Sequence, residues 1–306
     1  LSQVLPKGWS APALVSAVAS AARLVRLRQE TERLALEMRG LRSARGAAAP
    51  ADVPRFDTIP RAPGSPMEAA IATARQFARY DLPVMLVGAP GTGKRAMAEA
   101  VHRASLRADR PFHALDARGQ SEEAVLWALF GRRKPENGTP AHLRTGLVQR
   151  ADQGTLYLAG LDGLSFTAQD RLLRLLTHGA YEQDETPGEK LSEVRLVVGL
   201  DAEPDALQAA GMLRPALRWT LSAGAVALPR LADRACDLPL VVHSIAEQAA
   251  RRHGKAVRGV SEDALDFLAA HDWPGNLPEL EAEVTRMVLL APDTVAGPET
   301  LSPRIL

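Results

Sequence analysis

Pro83-Val-Met-Leu-Val-Gly88-Ala89-Pro90-Gly91-Thr92-Gly93-Lys94-Arg95 runs from an apolar strand into a helix, the context that turns a Gly-Lys pattern into a phosphate-binding loop. Its glycines let backbone N–H groups converge on phosphate oxygens. The helix N-terminus adds partial positive charge, and Lys94 reaches the terminal phosphates. A Gly-rich turn without a ligand is disfavoured, because spacing, preceding strand and following helix all agree. The position after the lysine, where a Ser or Thr would hold Mg²⁺, is Arg95, which favours nucleotide binding over metal-assisted chemistry.

Outward from this loop, helical and strand patterns alternate. Helices are predicted near Met67–Tyr80, Arg95–Arg107, Ser121–Phe130 and Thr167–Gly179, and strands over Pro83–Val87, Pro111–Leu115, Gly154–Ala159 and Glu193–Leu200. Strands separated by helices imply right-handed crossovers and a mostly parallel sheet. After Asp237 the pattern is all helical, over Leu238–His253, Ser261–His271 and Leu277–Leu290, so a small helical domain follows the α/β one. Upstream, Pro50, Pro54, Pro60, Pro63 and Pro66 forbid regular helix and mark a linker. Before it, residues 12–41 read as one helix. Ala17, Leu24, Thr31 and Met38 occupy one heptad position, and Ser20, Leu27, Leu34 and Leu41 the other. That seam fits a coiled-coil dimer, and it equally fits a stripe packed on the chain's own next domain.

The 306 residues are 46% apolar and 24% charged, as in ordinary globular proteins, and the length suits two or three domains. A net charge of +1 excludes a chain dominated by phosphate contacts. Cys236 stands alone, so an intrachain disulfide and a cysteine zinc cluster are both excluded, and a cytoplasmic location is expected. No apolar run reaches the roughly 20 residues of a membrane span, and no membrane partner is expected.

An NTPase also needs an acidic pair at the end of a second strand, to hold the metal's water shell and polarise the attacking water. The strand in that place, Gly154-Thr-Leu-Tyr-Leu-Ala159, ends on Ala159 and Gly160, which can do neither. Asp162 could substitute only if the strand end were shifted.

At this point the chain resembles the AAA+ domain of bacterial enhancer-binding proteins, the sigma-54-dependent transcription activators. The resemblance runs from about Arg55 to Leu290. Besides the phosphate loop it rests on Leu129-Phe-Gly131, Ala151-Asp-Gln-Gly-Thr-Leu-Tyr-Leu158, Gln169-Asp-Arg-Leu-Leu-Arg-Leu-Leu176, Asp237-Leu-Pro-Leu240 and His271-Asp-Trp-Pro-Gly-Asn276, in family order. It implies an α/β AAA+ P-loop domain with a central parallel sheet (67–232) and a C-terminal helical lid (233–295). A receiver tail and coiled-coil helix (1–45) and a Pro-rich linker (46–66) would precede them, and a tail (296–306) would follow.

Against the family's pattern the machinery is eroded. The Walker B Asp-Glu pair falls on Ala159 and Gly160. The sigma-contacting loop falls on Pro135-Glu-Asn-Gly-Thr-Pro140, without its aromatic and threonine. Of two arginine-finger positions, one is Arg214 and the other Thr220. The first-sensor residues fall near Leu200 and Asp201, and the second-sensor Arg falls on Pro278. The resemblance therefore implies a pseudo-ATPase in a response-regulator-type transcription regulator: ATP or ADP as ligand, Mg²⁺ disfavoured, no catalytic residue and no metal site. It also implies a homo-oligomer, through the N-terminal helix or an AAA+ ring, RNA polymerase as partner, and DNA contacted only through a region outside this chain. Two alternatives stand beside it. One is a working ATPase with atypical residues; the other is a scaffold or decoy subunit that inhibits an active relative.

Overall fold

The computed structural model describes residues 54–136, 139–183 and 188–306, with 132–136 and 139–144 as backbone only. The heptad stripe lies outside the described residues, as do Asn137 and Gly138. In chain order the α/β part comprises α1 (Pro66–Ala78), β1 (Val84–Val87), α2 (Lys94–Arg103), β2 (Phe112–Asp116), α3 (Glu122–Phe130), β3 (Gly131–Glu136), β4 (Thr139–Thr145), α4 (Leu147–Arg150), β5 (Thr155–Ala159), α5 (Phe166–His178), β6 (Ala180–Glu182), β7 (Glu189–Leu191), β8 (Arg195–Leu200), α6 (Pro204–Ala209), α7 (Pro215–Ser222) and β9 (Ala225–Ala227). The helical part comprises α8 (Leu238–His253), β10 (Gly259–Val260), α9 (Glu262–Ala270), α10 (Asn276–Leu290) and β11 (Val295–Ala296).

The central sheet has the order β2-β5-β8-β1-β9 and is parallel throughout. Its inner strands are apolar at nearly every position because both faces are covered. Val84, Leu86, Tyr157 and Val197 point to the face packed by α1 and α2. Their neighbours Met85, Val87, Leu156, Leu158 and Val198 point to the other face, against Val125 and Leu129 of α3 and Leu172 of α5. The phosphate-loop segment leaves the carboxyl end of β1, with β8 and β9 on either side.

A second core, built on Leu238, Val242, Trp273, Leu280, Val284 and Met287, forms the helical domain. It extends beyond the boundary drawn from sequence: Ala296, Leu301 and Ile305 belong to it, and buried Glu283 accepts from the Ser302 N–H at 2.7 Å. The proline-rich linker likewise ends earlier than expected. Phe56 is buried against α1 and α2, and Arg61 donates to the Phe56 carbonyl at 2.7 Å, because prolines forbid a helix there but not packing. The helix expected over 95–107 stops at Arg103. The sequence pattern gave no sign of α6, α7, β9 or the β6–β7 hairpin.

Asp237, wholly buried before α8, accepts from the Ala62 N–H at 2.6 Å and from Ser65 Oγ–H at 2.7 Å. Ser65 in turn caps α1 through the Met67 N–H. Arg234 lies 4.0 Å from the Asp237 carboxylate and is equally buried. Among the described residues, no helix is long and apolar enough to cross a membrane.

Candidate nucleotide-binding site

Residues 88–93 form a tight loop. Thr92 folds back on it, its hydroxyl donating to the Ala89 carbonyl at 2.9 Å. Gly93, at φ 99°, is the N-cap of α2, so Lys94 opens the helix whose N-terminus faces the loop. A cavity of about 270 Å³ lies beside it, with Lys94 and Arg95 on one side, Arg118 just after β2 and Tyr157 on β5, and Pro278 across on the helical domain.

Lys94 is buried. Its Nζ lies 2.7 Å from Asp201 Oδ1 and donates to the Ala89 carbonyl at 2.9 Å. The other Asp201 oxygen is 3.1 Å from Arg118 Nη1, so one carboxylate links the loop lysine to a second cation. Arg118 also grips Asp116, its backbone N–H and Nε donating to Oδ1 at 3.1 and 2.8 Å and Nη2 to Oδ2 at 2.5 Å. The Arg118 hydrogen bond holds Asp116 below the usual carboxylate range, and the same bond strengthens the arginine's hold on its proton. Burial pushes the Tyr157 hydroxyl up to about 12.

β5 ends at Ala159, opposite Asp116 on one side and Gly199 on the other. The strand end is therefore not shifted, and Asp162 sits beyond it in a 3₁₀ turn over Leu161–Gly163. Gly160 has φ +76°, and a Cβ there would stand 2.7 Å from Arg118 Cγ and 3.0 Å from Arg118 N. Ala159 lines the cavity and offers no side-chain oxygen, and its carbonyl accepts from the Ala117 N–H at 2.9 Å. Mg²⁺ demands near-octahedral oxygen ligands. Arg95, Ala159 and Gly160 supply no side-chain oxygen, and the Asp116 and Asp201 carboxylates are each engaged by an arginine or lysine, so the positions beside the phosphate loop do not fit that ion; Glu281, on α10, is a further carboxylate of the lining.

The helical domain closes directly on the loop. Asn276, buried and at φ 52°, donates from Nδ2 to the Pro90 carbonyl at 2.9 Å and accepts at Oδ1 from the Leu231 N–H, also at 2.9 Å. The Leu277 N–H reaches the Gly91 carbonyl at 3.2 Å. Gly91 is required by the same approach: at φ +80°, a Cβ would meet the Gly275 carbonyl at 2.6 Å and Pro278 Cδ at 2.8 Å. Pro278 thus touches the phosphate loop without a donor to offer it.

The structure brings together the loop, Ala159, Gly160, Asp201 and Pro278, and leaves Arg214 and Thr220 out of the cavity's lining. Arg214 pairs with Asp170 at 2.7 Å and stacks 4.6 Å over the Phe166 ring. Thr220 donates to the Ala216 carbonyl within α7. Sequence reasoning missed Asp116 and Arg118. An Asp-Ala-Arg triplet after a strand carries no signature of its own, and only the lack of a side chain at Gly160, one strand away, gives Arg118 its place. The β3–β4 hairpin stands where the sigma-contacting loop was expected, with Glu136 paired to Thr139.

A parallel sheet with a phosphate loop at a strand's carboxyl end and a helical lid bonded onto that loop defines an AAA+-type P-loop domain. Comparison with known proteins narrows the class. The Sigma-54 interaction domain family matches residues 62–227, and the AAA+ ATPase lid domain matches residues 232–306. The hydrogenase transcriptional regulatory protein HoxA of Cupriavidus necator is 31% identical over 310 residues, covering 99% of this chain and 64% of its own. The transcriptional regulator NtrC of Rhizobium meliloti is 33% identical over 72% of this chain and 46% of its own. The crystal structure of NtrX from Brucella abortus in complex with ADP superposes with a TM-score of 0.73 at 26% identity, over 99% of this chain and 65% of NtrX. The chain belongs to the Sigma-54 interaction domain family of sigma-54-dependent transcriptional activators. It spans 64% of the HoxA relative's length.

Proposed function

We propose that this chain is the central part of a response-regulator-type transcription regulator whose AAA+ domain holds ATP or ADP as an assembly or sensing ligand and has lost ATP hydrolysis. The observation that carries the reading is the pairing of a phosphate loop that keeps its glycines and Lys94 with a second strand that ends on Ala159, followed by Gly160. Lys94 and the α2 N-terminus supply what phosphate binding needs. Hydrolysis needs a metal, a group to orient water and a trans arginine, and loss of an arginine finger alone costs about 10³–10⁵ in rate. NtrX, the relative of similar fold, is crystallised with ADP and with ATP, which supports nucleotide as the ligand here.

Contact with sigma-54 is lost in the same reading, since the loop positions carry Asn137 and Gly138 in place of an aromatic and a threonine. The chain assembles with copies of itself through the 12–41 helix, acts on RNA polymerase in the cytoplasm, and reaches DNA through a region outside this sequence. A phosphate-release assay tests the core of the proposal: turnover that Lys94→Ala abolishes would replace it with the alternative of a working ATPase built on atypical residues. Mixing the chain with an active relative separates a decoy subunit, which would depress the relative's turnover, from an independent regulator, which would leave it unchanged.

A further inference from the structure

Gly160 leaves room for Arg118. With the backbone as it stands, any side chain at 160 would press on Arg118 Cγ and on the Arg118 backbone nitrogen, at 2.7 and 3.0 Å. The position without a side chain at the end of β5 thus leaves room for Arg118 beside it. The consequence is a change of sign. A place that would draw a divalent cation through carboxylates instead carries a cation covalently attached to the protein.

Arg118 is suited to phosphate. A guanidinium has five N–H donors in a fixed plane. The structure commits Nε and one direction each of Nη1 and Nη2 to Asp116 and Asp201, which leaves a second N–H on each terminal nitrogen. The side chain is about half exposed and lines the same cavity as Lys94 and the exposed Arg95. Three cations thus converge beside a loop of backbone N–H groups. Asp201 lies against two of them, Lys94 and Arg118, at 2.7 and 3.1 Å, and Glu281 lines the same cavity.

We infer that this cavity binds nucleoside di- or triphosphate without a divalent metal, with Arg118 as the cation that meets the phosphate chain in the metal's stead. The inference rests on the nucleotide-binding reading above and goes beyond it by assigning Arg118 as a ligand-binding residue and fixing the ionic form of the ligand. The protein binds ATP free of Mg²⁺, and magnesium, which lowers the charge of the phosphate chain and competes for its oxygens, gives no gain.

The test uses the full chain with fluorescently labelled ATP and ADP, titrated in EDTA and again in excess MgCl₂. Affinities within about twofold of each other in the two buffers are expected. Arg118→Ala should weaken ATP binding in EDTA by about tenfold, and Arg118→Lys, which keeps the charge without the planar fork, by less. A thermal melt of each variant distinguishes lost binding from lost fold. Binding that falls tenfold or more when magnesium is removed, or an Arg118→Ala variant that melts and binds as the parent does, overturns the inference while leaving nucleotide binding intact. Absence of binding in both buffers overturns the nucleotide-binding reading and this inference together.

Discussion

Asp201 Oδ1 stands 2.7 Å from Lys94 Nζ at the carboxyl end of the central sheet, so the loop lysine meets a protein carboxylate where a phosphate would compete for it. The pair is mostly withdrawn from water, with side-chain exposures of 5% and 23%, which strengthens it relative to a surface ion pair. A phosphate must displace this interaction and also face the negative charge that made it. Asp201→Asn should therefore tighten ATP and ADP binding by about three- to tenfold, a range that follows from removing one close like charge. Titration with labelled nucleotide measures it; unchanged or weaker binding would show that Asp201 orients Lys94 rather than restrains it.

Restoring an acid at the end of β5 should fail. Gly160→Glu places a non-glycine residue at φ +76° and against Arg118, so a stability loss of about 1–3 kcal/mol is expected without gain of turnover. Adding Arg118→Ala should recover part of that loss, because it removes the Cγ contact but not the backbone strain. Urea denaturation of the two single variants and the double variant gives the coupling.

Asp237→Ala should cost about 3–5 kcal/mol, since it strips a buried carboxylate from beside the buried Arg234 and leaves the Ala62 N–H and Ser65 hydroxyl without their acceptor. Asp237→Asn, which retains one acceptor oxygen, should cost less. Urea midpoints at unchanged slope decide the order of the two.

Tyr157 should be the last tyrosine whose ionisation is seen while the protein remains folded. Its folded-state pKa lies near 12, above the ordinary value of 10.0, because burial opposes the phenolate. The sign follows from linkage: the folded state keeps this proton longer than the unfolded one. Its contribution to stability is full below pH 10 and is lost as the pH rises to about 12. Ultraviolet absorbance at alkaline pH should show a delayed step that Tyr157→Phe removes.

The parts legible in the sequence were those with a repeating or local signal. β1, β5 and β8 declared themselves by apolar runs covered on both faces, the lid by helical periodicity and Trp273-Pro-Gly275, and the phosphate loop by glycine spacing between a strand and a helix. The sheet's last strand, Ala225–Ala227, is three residues long and too short to show a period. The chain past 295 carries prolines that argue against helix, yet Leu301 and Ile305 are buried all the same, since packing needs no regular backbone. The cation network was hidden for a different reason. Arg118 and Asp201 are separated by 83 residues and meet only because β2, β5 and β8 are adjacent in the sheet.

The Asp237 carboxylate gives the Asp-Leu-Pro-Leu motif a mechanical meaning. It ties residues 62 and 65, just before α1, to the root of α8, while Asn276, bonded to the Leu231 N–H, ties the same helical domain to the phosphate loop. The segment ahead of α1 and the phosphate loop are thereby both bonded to the helical domain. The lid is thus fastened to the α/β part at two places, through a carboxylate to the segment ahead of α1 and through an amide at the phosphate loop.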